Sequence, residues 1–389
     1  MKGLPKVDIQ INPNSLGSTL QTADGIAAMV LTGVAISGKV ELNIPLKIIS
    51  LKDAENKGIT KTGGNSFAYA QIEQFYSEAG NGAILWLMLV GATITKSKMV
   101  SKNEPYAKRL LQVANPPIKL LAISKKVNKD MTLANGVDAD VDKAIKNAQE
   151  LVESFLPHYK ECNVIVDVNS FNRNHTDLKD YNTATDAPYV SPLISSVGGS
   201  ENACVGLFLG RLAKDPVQRN PARVKSGRLP IENASLTDGN EIASHEFLDA
   251  IHNKGYNFIR SFAGKAGYFF SDAQTCAKAT SDLNSIPNVR VITKARSIAY
   301  LVFVDEIMEE IPVTTDGKIA QALVKAWQAK IETSITKNMV AKGEVSGVSM
   351  FIDTNQDIIG TGTINGVLSI QPVGYAKYIN IKLGFTKTL

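Results

Sequence analysis

The chain is short of the residues on which most enzyme chemistry depends. Among 389 residues there are only three cysteines, four histidines and two tryptophans. Cys162, Cys204 and Cys276 are widely spaced, odd in number and form no CxxC pair, so disulfide, zinc and redox roles give way to buried free thiols. No uninterrupted apolar run reaches the ~18 residues of a membrane helix, and no membrane insertion is expected. No GxSxG elbow exists, and none of His158, His175, His245 and His252 lies in a glycine-rich turn beside a nucleophile. A Gly-Lys-Ser/Thr phosphate loop is also missing. Gly80-Asn81-Gly82 precedes an apolar run, whereas a dinucleotide site needs its glycines after the strand.

One segment offers metal-type residues. His245, Asp249 and His252 would share a face of a helix over 241–253, with Glu246 beside them. Asp249 stands where a zincin needs its second histidine, and a plain polar helix face accounts for the pattern. Asp305, Glu306, Glu309 and Glu310 are dense and read as a solvated or subunit-facing stripe. No catalytic, cofactor or metal residues are assigned. Lys+Arg and Asp+Glu number 42 and 37, for a net charge of +5. The basic residues are scattered and carry few aromatic neighbours, which argues against direct nucleic-acid binding.

What is present is pattern. The length exceeds one ordinary core, and 44% apolar with 20% charged residues is the balance of a globular protein. Two apolar runs lie at 25–36 and 42–51, the first rich in small residues that suit close backbone packing, and the runs at 83–90, 118–123, 162–168 and 205–212 read as strands, several of them buried. Helices are expected at 66–79, 106–113 and 138–158, the last with Asp140 and Asp142 at its dipole-favoured start. Residues 171–190 read as a long loop, and short strands follow at 258–262 and 267–270. The fold class is α/β, a multi-layer body with a mainly parallel sheet, joined to a C-terminal α+β domain (α+β overall). The domains are expected at 1–19 (extended arm), 20–286 (body, with one subdomain or two), 287–375 and 376–389 (terminal strand arm).

The last fifth organises the rest. Residues 317–342 predict a helix capped by Asp316 and ended at Gly343, with Ile319, Leu323, Trp327, Ile331, Ile335 and Met339 on one face beside Ala322 and Ala326. Strands follow at 344–353, 365–373 and 378–385. In the last, Ile379, Ile381, Leu383 and Phe385 alternate with Tyr378, Asn380, Lys382 and Gly384. At the other end Val7, Ile9 and Ile11 alternate between Pro5 and Pro13, which suits an edge or a detached strand. Both terminal segments are candidate subunit contacts, donated to neighbours. The C-terminal one fits equally well as a strand completing its own sheet. Between these, 294–311 stays open between helix and strand by propensity.

The run Lys342-Gly343-Glu344-Val345-Ser346-Gly347, then Ile352-Asp353, Asn365-Gly366-Val367-Leu368, Gln371-Pro372-Val373-Gly374-Tyr375-Ala376 and Tyr378-Ile379 resembles the C-terminal domain of contractile tail sheath proteins. Such proteins occur in phages and phage-like injection systems, and the run is similar in particular to the variant common in phages and prophages of Bacteroidetes-like hosts. Gly210-Arg211, Pro216-Val217-Gln218-Arg219-Asn220 and Val224-Lys225-Ser226-Gly227 extend the likeness, which covers 287–389 and 210–229. The resemblance implies a structural protein without catalysis, a helix at the start of 294–311, and a helical homopolymer of stacked rings around an inner tail tube. It implies baseplate and tail terminator proteins as further partners. The beginning Met1-Lys2-Gly3-Leu4-Pro5 lacks a signal-peptide core, so assembly in the bacterial cytoplasm is expected, and a place in the virion tail or injection particle afterwards. Two other functions fit the same residues: a cytoplasmic α/β enzyme with an oligomerising C-terminal domain, or a tube or baseplate component.

Overall fold

The structure is a computed structural model that describes residues 23–128 and 131–386. It forms two compact units, one ending at Arg290 and the other beginning at Val291. Val7, Ile9 and Ile11 lie outside the described residues.

The first unit is built on a six-stranded sheet. Its strands are β1 (Ala27–Thr32), β2 (Leu46–Ile48), β3 (Leu85–Val90), β4 (Leu120–Ser124), β5 (Asn163–Asp167) and β6 (Val190–Leu193). Their order is β2-β3-β1-β4-β5-β6, parallel throughout except for β2, which runs antiparallel along β3 at one edge. Every residue of β1, β4, β5 and β6 is buried. Helices on both faces of a parallel sheet leave neither face to water, which is why these strands read as unbroken apolar runs.

The helices named here are α1 (Ser66–Ala79), α2 (Lys96–Met99), α3 (Tyr106–Val113), α4 (Val141–Phe155), α5 (Val205–Lys214) and α6 (Leu248–Asn253). Periodicity placed α1 and α3 to the residue. The α5 segment is a correction, because 205–212 was expected as a strand. A helix buried nearly all round has no polar face, so an apolar run alone does not separate the two states. Gly206 and Gly210, four residues apart, are the physical reason for this helix's position. A Cβ at Gly206 would lie 1.9 Å from the carbonyl oxygen of Gln71, and one at Gly210 2.5 Å from that of Phe75. The two glycines let α5 lie directly on the backbone of α1. Residues 241–253 also differ from expectation: a 3-10 turn at Ile242–Ser244 precedes α6 as a separate element. The loop over 171–190 carries a one-turn helix at Tyr181–Ala184 and buries Phe171, Leu178 and Tyr181. A hairpin of β7 (Ile259–Phe262) and β8 (Lys265–Phe270) follows.

Helix α7 (Ile286–Phe303) begins in the first unit and continues into the second, then tightens into a 3-10 turn at Val304–Glu306. The rest of the second unit is α8 (Gln321–Asn338) packed on an antiparallel hairpin of β9 (Val345–Ile352) and β10 (Gly366–Pro372). Helix α8 is shorter than its sequence pattern. Asp316 sits in a tight turn, with the Gly317 amide bonded to the Thr314 carbonyl at 2.9 Å, and does not cap the helix. The buried stripe is Val324, Trp327, Ile331 and Ile335, whereas Ala322 and Ala326 are exposed. Gly343 does end the helical region, in the left-handed conformation at φ 68°.

Candidate functional site at a closed sheet edge and an open hairpin

In doubly wound sheets ligands bind outside the carboxyl ends of the strands. Here that edge is filled by ion pairs. Lys96, fully buried at the start of α2, lies 2.8 Å from Asp138 and 3.1 Å from Asp167, and donates to the Asp167 carbonyl at 2.9 Å. Oδ2 of Asp167, at the end of β5, accepts from Ser124 Oγ at 3.0 Å, the Lys125 amide at 2.9 Å and Asn169 Nδ2 at 2.7 Å. Burial pushes the Asp167 carboxyl up to about 6, while Lys96 and the Lys125 amide oppose the shift. The cluster ties the ends of β4 and β5 to the start of α2 and to Asp138. An open groove of about 630 Å³ lies instead beside Arg228, Leu229, Lys265 and Tyr268, and shares no residue with this edge.

The metal-type residues do not converge. His245 precedes α6 and is held by the Glu241 carbonyl at 3.0 Å and Asp238 at 2.8 Å. Asp249 and His252 sit on α6 itself, and His252 meets Gln274 at 3.0 Å. The expected shared face is therefore absent, because the helix starts at Leu248. Among the described residues no group of three or more histidines, cysteines or carboxylates could hold a metal. The three thiols are free and buried, and desolvation raises all of them, Cys162 and Cys204 to about 12.

The segment 210–229 owes its shape to a second buried pair. Arg211 grips Glu78 of α1 with Nε at 2.8 Å and Nη2 at 2.7 Å, and donates Nη1 to the Gly227 carbonyl at 3.2 Å. Gly210 brings α5 close enough for that grip, and Gly227 returns the chain to it.

The second unit carries an open strand edge beside exposed apolar side chains. On β9, Met350 turns its amide and carbonyl away from β10 and both are taken by α8: Glu332 accepts the amide at 2.7 Å and Gln328 donates to the carbonyl at 3.0 Å. The outer edge of β9 is therefore capped at its centre. Register pairs Met350 with Leu368 and Val348 with Ile370, so the amides of Leu368 and Ile370 face outward on the other side. Among the described residues β10 pairs with β9 alone. Phe351 and Val367, cross-strand partners, stand exposed on the face away from α8.

The expected strand 378–385 forms no strand in the protomer. Tyr378 is 79% exposed, and Ile379, Ile381, Leu383 and Phe385 are 77%, 82%, 98% and 111% exposed. The sequence found this segment by alternation. It did not find the caps on β9, whose partners lie 18 and 22 residues away in α8.

Family models match along almost the whole length. The model described as "DUF2586, N-terminal domain" covers residues 4–274, and its C-terminal domain counterpart covers 282–389. The chain belongs to the DUF2586 family. No curated protein matches this DUF2586 chain by sequence. Solved structures match it in fold from end to end. The anti-feeding prophage helical sheath in its contracted state is 16% identical with a TM-score of 0.65, and each chain is covered to 100%. A chain of the anti-feeding prophage baseplate is 15% identical at TM-score 0.64, covering 99% of this chain and 100% of that one. The contracted sheath complex of an extracellular contractile injection system, PVC, is 13% identical at TM-score 0.59, with 100% and 98% covered. The fold is thus that of contractile sheath chains, an α/β body with a mainly parallel sheet. Among the described residues no helix is long and apolar enough to cross a membrane.

Proposed function

We propose that this DUF2586 chain is the subunit of a contractile sheath, polymerising as stacked rings around an inner tube and shortening to drive that tube through a target envelope. One observation carries the proposal: the protomer leaves four large apolar side chains of a β-patterned terminal segment in water, a few residues beyond a hairpin with one capped and one open edge. Such a segment is completed by a neighbour's sheet, and β10 is the edge that can receive it. The arms 376–389 and 1–19, the latter with Val7, Ile9 and Ile11, link copies. The work is mechanical, stored in two alternative packings of the same subunits. Tube, baseplate and terminator proteins are the other partners, and assembly takes place in the bacterial cytoplasm before the particle matures.

Magnitudes agree with a lattice. Burying four apolar side chains contributes about 1.5–3 kcal/mol each. Some five main-chain bonds add about 1 kcal/mol each. Ordering eight residues costs about 1–2 kcal/mol apiece. The terms nearly cancel, so one link is weak and reversible, and durability comes from repetition around and along the sleeve. The end-to-end likeness to sheath chains supports the same function.

Negative-stain microscopy of the purified protein tests it. Full-length chain is expected to form rings or tubes, and chain lacking 376–389 to stay a folded monomer. A full-length protein that remains monomeric at all concentrations would overturn the proposal.

A further inference from the structure

Arg290 is the last residue of the first unit, in the opening turns of α7, and only 4% exposed. Its Nη2 donates to two backbone carbonyls, that of Asp24 at 3.2 Å and that of Asp215 at 3.3 Å. Asp24 belongs to the 3-10 turn Ala23–Gly25, the first described element, directly after the N-terminal segment and directly before β1. Asp215 caps the carboxyl end of α5, one turn beyond Arg211 and its buried pair with Glu78, and its carboxylate holds Arg219 at 3.3 Å. The place where the chain enters the body and the place where it leaves are therefore joined by one guanidinium, although 266 residues separate them.

We propose that Arg290 is the mechanical junction of the subunit, fastening the root of the N-terminal arm to the helix that leads into the C-terminal unit. A pull applied between the arm and that unit then runs from Asp24 through Arg290 into α7 and bypasses the sheet. The body rides on the link without being stretched by it. Charge-assisted bonds to two carbonyls suit this task, because both acceptors are main chain and do not swing away as a side chain would. The consequence for a contracting polymer rests on the sheath function proposed above; the junction itself is a property of one molecule.

Single-molecule pulling separates the two. Handles on Ser15→Cys and Asp316→Cys load the junction, and handles on Asn103→Cys and Glu246→Cys load the body alone. The native thiols are buried and do not compete. Arg290→Met, or Arg290→Lys if the methionine variant does not fold, is expected to lose the high-force rupture along the first direction and keep the rupture force along the second. Equal weakening in both directions would mean that Arg290 is only a general stabiliser, and no change in the first would mean that it carries no force. Either result overturns the junction whether or not the protein polymerises.

Discussion

The body and the C-terminal unit handle their apolar surface in opposite ways. In the body, β1, β4, β5 and β6 are buried to the last residue and even the charges at the sheet's carboxyl edge are paired inside. The C-terminal unit has a small core of Ile319, Val324, Trp327 and Ile352, and leaves Phe351, Val367, Leu383 and Phe385 in water. A unit of this kind is unfinished as a monomer, since exposed apolar rows next to an unpaired strand edge invite another chain. Under the proposed function, the difference places the work of the subunit in the part that folding leaves incomplete.

Changes in the body are expected to act on folding and to reduce assembly only by lowering the folded fraction. The largest effect is expected for Lys96→Met. It strands Asp138 and Asp167 without their cation, a loss of about 3–5 kcal/mol in urea unfolding of the monomer. A value near zero would mean that the carboxyl edge is not the closed structural cluster described above. The next effect is a pH dependence. Asp167 titrates at about 6 in the folded chain, above its ordinary 3.8, so the folded state holds this proton more tightly than the unfolded one. Its contribution is fully present below the unfolded value and is lost as pH rises through the folded one, a fall of about 3 kcal/mol between the two. Asp167→Asn should remove that slope from monomer stability measured across this window.

Much of the body was legible in the sequence because buried parallel strands leave continuous apolar runs between turns, as at 83–90 and 118–123. Helix α5 was not, since burial on all sides erases periodicity and the meaning of Gly206 and Gly210 depends on α1, more than a hundred residues earlier. In α8 the fourfold recurrence placed the helix but enlarged its buried face, because alanine is indifferent to exposure and Ala322 and Ala326 proved to face water. The terminal segment was visible by alternation alone. Its freedom in the protomer was not, because alternation specifies a sheet and says nothing of whose. The capping of β9 by Gln328 and Glu332 leaves no local trace, yet it decides which edge stays open.

Hydrogen exchange at that edge measures the central claim most directly. In the monomer the amides of Leu368, Ile370 and residues 378–385 should exchange freely, while that of Met350, held by Glu332, is protected. On assembly the first group should become protected together and Met350 should change little. Protection of Leu368 and Ile370 already in the monomer, or their continued free exchange in an assembled polymer, would contradict the account.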